Sequence, residues 1–125
     1  LCKMLKKNYA VKKENFLGHS DIAPLRKKDP GEKFPWEYLS NYKIGIWFNF
    51  NENKLKKLRK LKISNTEKDD FFKFLFKLGY STNLSKNNKK GLLVKSFQRH
   101  FRQKLVNGKI DLECLFIAKK LSKIL

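Results

Sequence analysis

All three prolines of this 125-residue chain, Pro24, Pro30 and Pro35, fall within twelve consecutive positions. Proline fixes φ, has no N–H to donate, and pushes the residue before it away from the helical region. Residues 19–36 are therefore expected to follow an extended, loop-like path, with Gly31 adding a turn after Pro30. Regular elements must lie on either side of this rigid loop.

Both flanks carry apolar periodicity. Leu1, Leu5 and Tyr9 repeat at helical spacing, so residues 1–13 read as a short amphipathic helix. ENFLG (14–18) offers Phe16 and Leu17 to a brief buried strand. Residues 37–48, interrupted by Gly45, read as a short helix followed by an extended segment. In residues 49–63, Leu55, Leu58 and Leu61 form a narrow stripe among lysines. That pattern predicts a linker helix laid on a neighbouring unit; a membrane-surface helix is disfavoured, since no aromatic residue anchors the stripe.

From Ser64 the pattern becomes three helices. Thr66 and Asp69 give a capping-box-like start, Phe71, Phe72, Leu75, Phe76 and Leu78 an apolar face, and Gly79 a stop. A polar loop, STNLSKNNKKG, leads to a second helix with Leu93, Val94, Phe97 and Phe101 facing a core. Asn107-Gly108 makes a turn, and Asp111 caps a third helix with Leu115, Ala118, Leu121 and Leu125 on one side. The expected organisation is mainly α. Residues 1–48 supply helix, short strand and loop, 49–63 a linker, and 64–125 a helical module with its own core.

Composition narrows the function classes. A hydrophobic fraction of 41% is enough for a core. No apolar run approaches the roughly 20 residues that span a bilayer, and the first residues lack the apolar region of a secretory signal. The amphipathic pattern already under way at Leu1 is what a chain entered partway through a domain would show. Cys2 and Cys114 stand at opposite ends without metal-type spacing, and Cys114 reads as a small buried hydrophobe. The formal charge of +19 points to an anionic partner, with a small basic nucleic-acid-binding protein as the alternative function. Of the 30 basic residues, however, four are arginine and 26 lysine. Phosphate-clamping surfaces favour arginine for its planar fork, and the aromatics fall at helix-core spacing rather than as a stacking platform. No nucleic-acid partner is expected.

The proline loop holds chemistry-bearing residues. His19 and Asp29 are metal-competent, and a catalytic zinc takes three protein ligands and keeps one position open for water. Lys27 projects toward the same neighbourhood as Asp29 if the chain between them is extended, where an ammonium can steady a developing oxyanion. Spacing alone leaves other readings open: His19 as a hydrogen-bonded structural residue, Asp29 as a turn residue before Pro-Gly.

The full string, GHSDIAPLRKKDPGEKFPW (18–36), resembles the signature loop of zinc-dependent N-acetylmuramoyl-L-alanine amidases of the AmpD/AmiD type, which runs close to GHSDIAPGRKxDPGxxFPW. The resemblance implies an α/β amidase domain in which His19 and Asp29 are zinc ligands and Lys27 assists catalysis. It extends downstream to EYLSNYKIGIW. FLFKLGY, LLVKSFQRHF and VNGKIDLECL are similar to the three-helix peptidoglycan-binding domain, with Cys114 where threonine is commoner. By that likeness Gln98, Arg99 and Arg102 are expected to be exposed on the second helix and to contact glycan or peptide, while His100 is expected to be a surface or half-buried residue. Leu25 stands where the amidase loop usually has glycine.

The family's remaining parts, most of the central sheet, a further histidine ligand and a glutamate base, have no counterpart in these residues. The resemblance therefore implies the C-terminal part of an amidase domain with an incomplete zinc site. Such a chain is either inactive alone and completed by a separate N-terminal amidase fragment, or a wall-binding module carrying an amidase vestige. The implied reaction is hydrolysis of the amide between N-acetylmuramic acid and L-alanine. The implied ligands are peptidoglycan or muropeptides, in the cell envelope or, for turnover fragments, the cytosol.

Overall fold

A computed structural model describes residues 3–4, 11–22, 27–80 and 90–124, with the backbone alone at positions 19 and 20. The expected first helix, with Leu1, Leu5 and Tyr9, and most of the polar loop at 81–91 lie outside the described residues, as do Cys2, Pro24 and Leu25. Among the described residues the fold is helical and contains no strand. None of its helices is long and apolar enough to cross a membrane.

The strand expected at ENFLG does not form. Lys13–Asn15 close a 3₁₀ turn instead, and residues 16–18 run on without regular structure. A strand needs a neighbour for its backbone N–H and C=O groups, and no described residue pairs with this one. One helical turn, α1 (His19–Ile22), follows, where continuous loop was expected. Residues 27–35 are irregular, as the prolines dictate, and Pro35 leads into α2 (Trp36–Ser40). Beyond it, residues 41–50 are non-helical, with Ile44 buried.

α3 (Glu52–Arg59) begins where the Asn51 side chain accepts the Asn53 N–H at 2.8 Å. Its last turn carries Lys56, Lys57 and Arg59, which suits the negative end of the helix dipole. Leu55 is buried, but Leu61 lies past the helix end and is exposed, so the leucine stripe is only partly used. α4 (Asn65–Lys77) is capped by Ser64, two residues before the expected Thr66. Ser64 and Glu67 form the capping box, each side chain bonding the other's N–H at 3.2 and 3.1 Å. Gly79, at φ +102°, ends it as expected.

α5 (Lys90–Phe101) and α6 (Leu112–Ile124) complete the fold, and Asp111 caps α6 by accepting the Cys114 N–H at 2.9 Å. α6 packs against α4 and α3. The buried face of α6 is Cys114, Ile117, Ala118 and Leu121, rotated from the expected one; Leu115 sits at its edge and Leu125 lies outside the described residues. Phe71 and Leu75 of α4 and Leu93 and Phe97 of α5 are fully enclosed, with the Phe71 and Phe97 rings edge-on at 5.2 Å. Each such side chain contributes about 1.5–3 kcal/mol of burial. Together they make a continuous apolar core that Leu55 joins from α3.

Candidate functional site

The proline loop is anchored by one carboxylate. Asp21, in α1, is 7% exposed, and three donors meet its two oxygens. The Gly18 N–H reaches Oδ2 at 3.0 Å, the Tyr80 hydroxyl reaches Oδ1 at 2.6 Å, and His100 Nδ1 faces Oδ2 at 2.8 Å. A carboxylate offers only lone pairs, so the ring nitrogen facing it carries the proton. Burial, with the Asp21 charge beside it, pushes the Tyr80 phenol well above its usual value, and it stays a donor. Tyr80 follows Gly79 at the end of α4, while His100 lies in the last turn of α5.

Aromatic stacking holds the other limb. The Trp36 ring lies 4.0 Å from the His100 ring and nearly parallel to it, and Phe101 stacks on the same imidazole at 3.9 Å. Phe34 packs on Trp36 at 4.7 Å, and its carbonyl accepts Gln103 Nε2 at 2.7 Å. His100, expected at or near the surface, is thus 2% exposed. It occupies the apolar face of α5 one turn after Phe97, and Asp21 supplies the polar partner that allows it there. Its Nε2 is buried without a hydrogen-bond partner among the described residues.

The two limbs close on each other at Gly18. A Cβ at this position would stand 2.3 Å from Pro30 Cδ, an overlap no side chain tolerates. Only glycine permits the contact, and it brings the residues next to His19 and Asp29 together. Lys27 and Asp29 are exposed. The His19 side chain lies outside the described residues. Among those described, no group of three or more His, Cys, Asp or Glu could hold a metal ion. The described residues thus show how the loop closes at Gly18 and Pro30.

Gln98, Arg99 and Arg102 are not exposed on α5, contrary to expectation; all three are buried. Gln98 Oε1 accepts the N–H groups of Asn107 and Gly108, both at 2.9 Å, and its Nε2 donates to the Lys109 carbonyl at 2.9 Å. It substitutes for backbone partners that the turn lacks. Arg102 donates to Asp111, to Glu113 at 3.3 Å and to the Leu105 carbonyl at 3.0 Å. Arg59 meets Glu113 with two parallel bonds at 3.0 and 3.1 Å, so a partly buried ionic chain ties α3 to α6 and to Arg102, directly after α5. Cys114 is the buried residue expected, and burial pushes its thiol up to about 12, leaving it unreactive.

Asp21 and Tyr80 went unrecognised in the sequence, though both stand inside the quoted motifs. The available signals were an acidic residue on the histidine's own turn and a histidine at a core position of an apolar helix face.

No family model matches the chain. Over 122 residues it is 32% identical to N-acetylmuramoyl-L-alanine amidase AmiD of Escherichia coli, covering 97% of this chain and 44% of that protein. Over 45 residues it is 47% identical to 1,6-anhydro-N-acetylmuramyl-L-alanine amidase AmpD of Haemophilus influenzae, covering 34% of this chain and 24% of that protein. The fold is similar to that of E. coli AmiD in complex with anhydro-N-acetylmuramic acid-L-Ala-D-gamma-Glu-L-Lys. The TM-score is 0.81 and the identity 30%, over 98% of this chain and 48% of the other. AmpDh3 of Pseudomonas aeruginosa in complex with anhydromuramic pentapeptide is similar with a TM-score of 0.76 and 27% identity, over 98% and 48% of the two chains. The chain spans less than half the length of the relatives it matches.

Proposed function

We propose that these residues are the metal-loop and helical part of a peptidoglycan amidase of the AmpD/AmiD type, which cleaves the amide between N-acetylmuramic acid and L-alanine. The observation that carries this reading is a likeness to AmiD in sequence and in fold over nearly the whole chain, running through the signature loop. His19 and Asp29 are two ligands of a zinc ion, which when bound supplies a nucleophilic water near neutral pH. Lys27 reaches from the same loop to the carbonyl oxygen as negative charge develops there. Residues 64–125 act as a peptidoglycan-binding module, joined to the loop region through residues 49–63.

A catalytic zinc needs a third protein ligand, and the chemistry needs a base. The only other histidine, His100, is engaged with Asp21. Polypeptide outside these residues must supply both groups, in the same chain or as a separate amidase fragment. The 125 residues alone are expected to retain zinc weakly and to release no L-alanine peptide from muropeptides. Stoichiometric zinc with turnover would overturn the incomplete-site reading. Sedimentation with insoluble peptidoglycan, set against a salt-titrated DNA shift, tests the partner. Steeply salt-dependent DNA retention without wall binding would reject peptidoglycan as the ligand.

A further inference from the structure

We infer that Tyr80 and His100, from the helical part, are positioning residues for the metal loop and act through Asp21. The bonds span 59 and 79 residues of sequence, so the loop's geometry is set by groups far along the chain. Asp21 also fixes the Gly18 N–H, directly before His19. Gly18 in turn abuts Pro30, directly after Asp29. One carboxylate thus passes the position of two helix ends to both proposed ligand positions. Metal ligands work only when held to within about 0.5 Å by the groups behind them.

The choice of residue at position 100 supports this role. Its ring is sandwiched between Trp36 and Phe101, where an apolar side chain would fill the same space. Histidine there leaves a buried Nε2 unbonded among the described residues, a cost that packing alone does not explain. The Nδ1 bond to Asp21 is what it provides in return.

The inference rests on the amidase reading only for what the loop binds, and the test separates the two. Tyr80→Phe, His100→Leu and His100→Asn in the full chain are compared by tryptic cleavage after Lys27 and Lys28, by zinc affinity against a chromogenic chelator, and by helical content. Removing one donor from a buried carboxylate favours local opening by about tenfold to a hundredfold. Cleavage in Tyr80→Phe and His100→Leu is expected to accelerate by that factor with helical content unchanged. Zinc affinity is expected to fall about tenfold. His100→Asn, whose amide N–H stands near the Nδ1 position, is expected to recover most of both.

Wild-type cleavage and zinc affinity in Tyr80→Phe and His100→Leu overturn the inference, as does a His100→Asn no better than His100→Leu. Should a helix-side variant lose its helices, Asp21→Ala changes the loop side alone, and wild-type cleavage there overturns the inference equally. If the unaltered chain binds no measurable zinc, the incomplete site of the amidase reading accounts for it, and cleavage alone decides the positioning role.

Discussion

The helices from Ser64 onward and the loop region before residue 49 are stabilised by different means. The former interlock through enclosed phenylalanine, leucine and isoleucine side chains and are closed by their own caps and turns. The latter buries few side chains, chiefly Asp21, Trp36 and Ile44, and leans on Tyr80, His100 and Gln103 for its shape. The comparison teaches an unequal dependence. The helices enclose a core of their own, and the loop region packs partly buried Ile46, Trp47 and Phe48 against its edge.

Phe97→Ala tests that dependence most severely. It opens a cavity where Phe71, Tyr80 and Phe101 meet the ring, and is expected to cost about 3–5 kcal/mol. Denaturant unfolding should show the helices and the loop lost in one transition; a loop signal that survives would reverse the dependence. Glu113→Gln comes next, because it leaves Arg59 and Arg102 facing a neutral group in a buried site. About 2–3 kcal/mol is expected, discounted for the partly exposed Arg59, and Arg59→Met should lose less.

Gly18→Ala sharpens the contrast from the other side. Its Cβ would displace Pro30, so zinc retention should fall sharply while the thermal midpoint moves by less than about 1 kcal/mol equivalent. The smallest effect is in alkali. The unfolded chain releases the Tyr80 proton near pH 10, whereas the folded chain keeps it. The folded state then binds more protons, so stability is lost as pH rises past about 10. Cys114, held at about 12 by burial, adds a loss of the same sign. Tyr80→Phe is expected to flatten the midpoint-against-pH curve above pH 10 without making it level.

The same contrast explains what could be read from the sequence. Helix periods, the Gly79 stop, the Asp111 cap and the Asn107-Gly108 turn were legible because each is decided by neighbours a few residues apart. The loop was legible only as a motif. Its anchor joins Asp21 to partners 59 and 79 residues away, a distance at which no local pattern operates. Gln98, Arg99 and Arg102 were placed outside by likeness to the peptidoglycan-binding domain, in keeping with polar side chains on a helix normally facing water. Gln98 and Arg102 lie inside because the turn at 107–109 and the carboxylates of Asp111 and Glu113 give them partners there. The strand at ENFLG failed for a related reason, since pairing depends on a neighbour and not on the segment itself.

The twofold grip of Arg59 on Glu113 bears on reach. A segment between two working parts can act as a swivel, letting each sample many orientations, or as a fixed spacer. Pinned by a paired ionic contact at one end and by Leu55 in the core, α3 is a spacer. The stretch at 49–63 therefore holds one orientation against the helical core instead of pivoting on it.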